Sequence, residues 1–206
     1  RGERLLLEGA QGTLLDPDFG TYPFVTSSSP MAGGSSMGAG IGPTKVDAVL
    51  GIFKGYITRV GAGPMPTKLN DETGKLIKER GHEYGTVSRR PRECGWFDAV
   101  LARFSARVNG LTGMAITNLD ILDTFPQIKI CVAYELEGKT IDNFPSTVAA
   151  LERCRPIYEE LPGWQTDTSD TREYEQLPLE ARQYITRLEE LVSCPVNLIS
   201  VGAERE

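Results

Sequence analysis

Histidine is almost missing: the 206 residues contain one, His82. The four cysteines (Cys94, Cys131, Cys154 and Cys194) lie far apart and form no C-x-x-C pair. A structural zinc site needs several such ligands at short spacing, so no metal site is expected here. The cysteines read instead as reduced, buried small hydrophobes of a cytoplasmic protein. No apolar run approaches the roughly 18 residues of a membrane-spanning helix, and no signal-peptide pattern stands out, so no membrane partner is expected. Basic charge is scarce as well. Lys and Arg total 22 against 28 Asp and Glu, a net charge of -6. A non-specific nucleic-acid binder would show a basic excess, so no nucleic-acid partner is expected. A few well-placed arginines would still suffice for a single nucleotide. The chain has no G-x-x-x-x-G-K-[ST] segment, which removes the usual nucleotide-phosphate loop. His82 falls outside every motif discussed below and reads as a solvated surface residue.

What remains is ordinary for a globular chain of this length, with 40% hydrophobic and 24% charged residues. That is enough for a sizeable core in one domain or one and a half. Leu5, Leu6 and Leu7 lead a candidate strand over residues 4–8, and a Gly-, Pro- and Ser-rich stretch follows over 16–43. Pro43 stands where a helix can begin, with Val46, Val49, Leu50, Phe53 and Ile57 at helical spacing, stopped by Gly61-Ala62-Gly63-Pro64. Glu72 to Glu79 reads as a short polar helix, and Trp96 to Val108 as an amphipathic one. Gly113 to Thr117 is a buried-strand candidate. Ile128 to Leu136 alternates into the turn Glu137-Gly138, with Thr140-Ile141 returning as a hairpin. Pro178 to Val192 reads as a helix and Asn197 to Val201 as a last strand. Strands alternating with helices predict an α/β fold, with a mainly parallel sheet flanked by helices and an antiparallel hairpin. In such sheets ligands gather at the carboxyl ends of strands. Gln11, Asp120 and Gly202 are each predicted to lie just past one.

Three stretches carry chemistry. In Glu8-Gly9-Ala10-Gln11-Gly12-Thr13-Leu14-Leu15-Asp16, small residues admit a ligand close to the backbone, and the Gln11 amide both donates and accepts. Thr26, Ser27 and Ser28 downstream supply donors suited to a phosphate. Gly85-Thr86-Val87-Ser88-Arg89-Arg90-Pro91-Arg92-Glu93-Cys94-Gly95-Trp96 concentrates arginines on a glycine-bounded loop. Guanidinium forks match carboxylates and phosphates in bidentate fashion, so this loop suits an anionic substrate. In Thr117-Asn118-Leu119-Asp120, a carboxylate after a strand can accept from guanine N1–H and the exocyclic amine together, a pair that adenine lacks. In isolation Asp120 would also read as a turn cap.

The wording of these stretches resembles the adenylosuccinate synthetase family along the whole chain. The resemblance implies GTP-dependent ligation of IMP and L-aspartate to adenylosuccinate, in purine (AMP) biosynthesis. It implies a partial P-loop-NTPase-like synthetase fold, residues 1–206 forming the C-terminal portion of the domain. The family's G-D-E-G-K-G-K phosphate loop is absent from this sequence. Mg²⁺ ligands and catalytic side chains are therefore expected upstream, none within the chain, and the chain alone is expected to show no turnover. By position, the resemblance assigns IMP to Gln11, Thr26, Val60 and Arg90. It assigns aspartate to Thr86, Val87, Ser88, Arg89, Arg90, Pro91 and Arg92. GTP falls to Arg92, Asn118, Leu119, Asp120, Ser200, Val201 and Gly202. GTP is the co-substrate and the parent protein is expected to be a homodimer.

The sequence departs from the family wording at the arginine loop and the acid turn. Val87 and Ser88 replace paired threonines, Arg89 replaces a glycine, Glu93 replaces an arginine, and Asn118 replaces a lysine. These changes keep open an alternative, a non-catalytic nucleotide-binding relative with a degenerate aspartate loop. Asn118 also leaves the choice of GTP over ATP open.

Overall fold

A computed structural model describes residues 2–85 and 89–202. The strands are β1 (Leu50–Lys54), β2 (Ile57–Arg59), β3 (Glu93–Gly95), β4 (Phe97–Asp98), β5 (Gly113–Thr117), β6 (Gln127–Leu136), β7 (Lys139–Ile141), β8 (Arg155–Pro162) and β9 (Val196–Ile199). The helices are α1 (Ala32–Ala39), α2 (Glu72–Arg80), α3 (Ala99–Asn109), α4 (Val148–Arg153) and α5 (Leu179–Val192). A parallel sheet runs in the order β1-β5-β9, and β2 and β3 form a separate antiparallel pair. In the third sheet β6 is central, parallel to β4 and antiparallel to both β7 and β8. This is the expected α/β architecture, with the helices flanking a parallel sheet.

The parallel sheet forms because Gly113 to Ile116 are wholly buried and read as a continuous apolar run. Met114, Ile116, Leu119, Leu122, Ile128 and Ile130 join Tyr56, Trp96, Phe97, Phe125 and Tyr184 in the main core. At roughly 25 cal/mol per Å² of apolar surface removed from water, this cluster is the chief stabilising term. Helix α3 starts where Asp98 accepts the Leu101 N–H at 3.1 Å and stops at Gly110, whose φ of 62° suits a residue without Cβ. Trp96 and Phe97, expected in that helix, precede it in the β3–β4 segment and are buried in the core.

Two expected elements do not exist as predicted. Residues 2–10 form no strand; Leu5 and Leu6 are 71% and 90% exposed, with no neighbouring strand among the described residues to complete their hydrogen bonds. Pro43 opens only a 3-10 turn over Pro43–Lys45, and of the residues at helical spacing Leu50 and Phe53 lie on β1 and Ile57 on β2. Apolar residues three or four apart cannot by themselves separate a helix from two short strands. Gly51 decides locally: a Cβ there would come within 2.4 Å of Leu111, a contact made only as β1 lies against β5.

Helix α1 is not predicted, because Ala-Gly-Gly-Ser-Ser-Met-Gly-Ala is a poor helix former. Tertiary contact supplies what propensity lacks: Asn109 accepts the Ala32 N–H at 2.8 Å, at the start of the helix. Strand β8, also unpredicted, pairs along most of β6.

Candidate functional site at the strand ends

The parallel sheet ends where the acid turn begins. Thr117 closes β5, and Asn118 follows in the left-handed region at φ 56°. Asparagine tolerates that conformation better than lysine, so Asn118 suits its position. Leu119 is fully buried and anchors the 3-10 turn Leu119–Leu122, on which Asp120 is half-buried. Arg80, the last residue of α2, donates to the carbonyls of Asp120 at 3.0 Å and Ile121 at 3.1 Å. The Leu119 N–H points to the Ser200 carbonyl at 3.4 Å, and the Ser200 N–H donates to the Ile116 carbonyl at 2.8 Å. The two segments expected at the guanine, Asn118–Asp120 and Ser200–Gly202, are thereby brought together. Gly202 has φ 72°, and a Cβ there would meet the Ser169 carbonyl at 3.0 Å. A cavity of about 300 Å³, lined by Tyr174, Leu177, Leu198, Ile199 and Val201 among others, lies alongside.

Residues expected at IMP gather through a second set of contacts. Thr26 donates its N–H to the Leu15 carbonyl at 2.8 Å, fastening the 21–26 loop to the Gln11–Asp16 stretch. Gln11 is exposed, with φ 65°. It follows no strand, so the expectation that it lies past one is corrected. Asp16 is buried and holds its own loop: its carboxylate accepts from the Asp18 and Phe19 N–H groups and from Ser29 at 2.7 Å. Burial alone would raise its pKa, but those hydrogen bonds prevail and hold it below the usual value. Arg59 is buried and links the two loops. It donates to Thr21 Oγ1 at 2.9 Å, to the Phe24 carbonyl at 3.0 Å and to the Ala62 carbonyl at 3.1 Å. Val60, 40% exposed, follows it directly.

The arginine loop joins the two groups. Arg59 pairs with Glu93 in the β2–β3 register, which places Val60 and Arg92 side by side beyond the ladder. Arg92 Nη1 donates to Glu83 Oε2 at 2.8 Å, and its N–H donates to the Glu83 carbonyl at 2.9 Å. Glu83, 1% exposed, also accepts from Lys54 Nζ and Tyr56 Oη, both at 2.5 Å. Lys54 ends β1 and pairs with Thr117, one residue before the acid turn. A continuous path thus runs from Val60 through Arg92, Glu83 and Lys54 to Asn118 and Asp120. Burial pushes the Glu83 pKa up, but the three donors more than compensate and hold it below the ordinary glutamate value.

Thr86, Val87 and Ser88 lie outside the described residues. Arg89 adopts φ 53° with its N–H on the Gly85 carbonyl at 2.8 Å, a left-handed turn where the family's glycine would carry no strain. Arg90 and Pro91 are exposed, and Pro91 bridges to Tyr84 across the base of the loop. Glu93 does not intrude on the site. Its carboxylate faces Lys68 Nζ at 3.3 Å, so the acid that replaced an arginine sits in a surface ion pair. Among the described residues, the side chains of Gln11, Thr26 and Asp120 make no hydrogen bond to protein. No group of three or more His, Cys, Asp or Glu among them could hold a metal ion. All four cysteines are free and buried, and no helix among the described residues is long and apolar enough to cross a membrane.

Arg59, Glu83, Lys54 and Arg80 form the frame of this surface, and the sequence did not single them out. Glu83 had a signal in Gly81-His82-Glu83-Tyr84-Gly85, a charged residue between two glycine punctuations just before the arginine loop. Arg59 had only its position beside Val60.

The parallel β1-β5-β9 sheet flanked by helices places the chain in the α/β class, whose members commonly bind ligands at the carboxyl ends of strands. Comparison with known proteins supplies the particular member. The family model for adenylosuccinate synthetase matches residues 1–206. An adenylosuccinate synthetase of Heliobacterium modesticaldum is 58% identical over 205 residues, 100% of this chain and 48% of that protein. One from Dehalococcoides mccartyi is 55% identical over 204 residues, 99% of this chain and 48% of that protein. The solved structure of a fully ligated adenylosuccinate synthetase from Plasmodium falciparum superposes with a TM-score of 0.92. It is 39% identical, over 95% of this chain and 47% of that one. The chain belongs to the adenylosuccinate synthetase family. It spans about half the length of the curated relatives it matches. Identity at this level over the whole chain does not favour the degenerate, non-catalytic alternative.

Proposed function

We propose that the polypeptide carrying this chain is a cytoplasmic, homodimeric ligase that joins IMP and L-aspartate at the expense of GTP. Residues 1–206 form the C-terminal portion of its synthetase domain. The γ-phosphoryl group of GTP passes to the 6-oxygen of IMP and GDP departs. The aspartate amine then attacks C6, and the oxygen leaves with inorganic phosphate. Gln11 holds the purine 6-position, Thr26 the 5′-phosphate, and the Val60 main chain the ribose. Arg90 meets the ribose and the aspartate carboxylate, within a loop of Thr86, Val87, Ser88, Arg89, Pro91 and Arg92. Arg92 also faces the GTP side. Asp120 reads guanine beside Asn118 and Leu119, with Ser200, Val201 and Gly202 closing the base through their backbone.

Mg²⁺, which such phosphoryl transfer uses, is held mainly by phosphate oxygens, water and one or two carboxylates, and its protein ligands are assigned upstream of this chain. The residues named above serve binding, orientation and exclusion of water. The observation that supports the reading most is the link from Val60 through Arg92 and Glu83 to the Asp120 turn, since ligation needs all three substrates at one edge.

The test uses the full-length polypeptide. Wild type should form adenylosuccinate from IMP, aspartate and GTP, and GTP should outperform ATP. Asp120→Asn should lower kcat/KM for GTP by about tenfold or more, because guanine N1–H and N2–H lose a charged acceptor. The same variant should accept xanthosine triphosphate better than wild type does, since the asparagine amide can donate to the xanthine 2-oxygen. Full-length protein that makes no adenylosuccinate, or an unchanged nucleotide preference in Asp120→Asn, would sink the proposal.

A further inference from the structure

Resting on the reading of Arg92 as an anion contact, we infer that Glu83 is a positioning residue that fixes the stem of the arginine loop and aims Arg92. The two ends of the arginine loop are tied together at Gly85 and Arg90. Gly85 donates its N–H to the Arg90 carbonyl at 2.8 Å, and Tyr84 bridges Pro91. One step below that closure Glu83 and Arg92 face each other, joined twice. The Arg92 N–H meets the Glu83 carbonyl at 2.9 Å, and Nη1 meets Oε2 at 2.8 Å. The Glu83 carboxylate is itself immobilised, since Lys54 at the end of β1 and Tyr56 in the core both donate to its other oxygen.

A flexible arginine loses rotamer freedom when it binds an anion, and a side chain already held loses less. Glu83 occupies one N–H of the guanidinium and leaves the rest of the fork to a ligand. Lys54 and Arg92 also share one buried carboxylate, so the cluster keeps a net positive charge. Arg92 retains 29% side-chain exposure, so that surplus reaches solvent. A carboxylate serving only to neutralise Arg92 would need neither Lys54 nor Tyr56. Their presence makes Glu83 a fixed reference between the parallel sheet and the loop.

The experiment compares Glu83→Gln, Arg92→Ala and the double variant in the full-length polypeptide, measuring kcat, the KM of each substrate and the melting temperature. Glutamine still accepts from Lys54 and Tyr56 but presents an amide donor to Arg92. Glu83→Gln should therefore raise, by roughly tenfold, the KM of the same substrate that Arg92→Ala raises, with kcat within about threefold. The double variant should be no worse than Arg92→Ala alone, because the residues act as one unit. Should Glu83→Gln fail to fold, Tyr56→Phe removes one anchor of the carboxylate and should raise that same KM by about threefold. A Glu83→Gln protein that melts earlier but keeps every KM, or single-variant effects that add in the double variant, overturns the inference and leaves Arg92 as proposed. An Arg92→Ala protein with unchanged KM values overturns both.

Discussion

Arg59 is a cation held against neutral oxygens: Thr21 Oγ1 and the carbonyls of Phe24 and Ala62. Burial lowers its pKa, yet a guanidinium remains charged at any ordinary pH. The planar fork is what lets one side chain reach three acceptors on two loops. Gly63 makes room for it, with φ 119° and a hypothetical Cβ only 2.2 Å from the guanidinium. Lysine would keep the charge but lose the geometry. Arg59→Lys should therefore lower unfolding free energy by about 1–3 kcal/mol, read from urea denaturation. On the proposed assignment of Thr26 and Val60 to IMP, it should also raise the KM of IMP in the full-length protein, because both residues lie on the loops it ties. An unchanged stability would show that the two loops hold together without it. At this scale the sequence disclosed residue types better than their settings. The arginines of 89–92 and the acid at 120 announce themselves by chemistry. The role of Arg59 depends on a fold that brings residues 21, 24 and 62 around it, and local spacing holds no trace of that.

Helix α3 begins on a buried carboxyl with a double task. Asp98 caps the helix through the Leu101 N–H and accepts the Tyr134 hydroxyl at 2.6 Å. Burial pushes its pKa up to about 6, although the hydrogen bonds from Tyr134 and the helix N–H groups pull the other way. Because the folded chain holds this proton more tightly than the unfolded chain, Asp98 stabilises the fold most below its unfolded pKa. That contribution is lost as pH rises through about 6. An asparagine side chain in its place would cap equally well and would not titrate. The stability of wild type relative to Asp98→Asn should therefore grow from pH 7 to pH 4 by on the order of 2 kcal/mol. Urea titrations at both pH values give that difference directly, and a pH-independent difference refutes it. Elements with strong local signals, such as α2, α3, α5, β5 and the β6–β7 hairpin, were legible in the sequence. Those decided by distant partners were not: β1 and β2 were masked by helical spacing, α1 by its glycines, and β8 by its dependence on β6.

Across the whole molecule, the parallel sheet is covered unevenly. Strand β1 pairs with β5 on one side and with no strand among the described residues on the other. Ile52 is 67% exposed, and Leu50 and Leu198 are each 49% exposed. Parallel sheets are ordinarily covered on both faces, and an open apolar strand edge is a template for pairing with another chain. The chain spans about half the length of its relatives, and the sequence alone does not indicate that one edge is bare. Its amphipathic spacing over residues 46–57 reads as a helix facing a core. Purified by itself, the 206-residue chain should self-associate in a concentration-dependent way. Ile52→Lys places a charge on the exposed face of β1 and leaves the core contacts of Phe53 untouched. It should shift the population toward monomer in sedimentation velocity while the far-ultraviolet circular dichroism stays the same. Wild-type chain that remains monomeric at every concentration would mean that this edge is protected by its own twist and flanking loops. An Ile52→Lys protein that loses its dichroism would instead show that Ile52 belongs to the core.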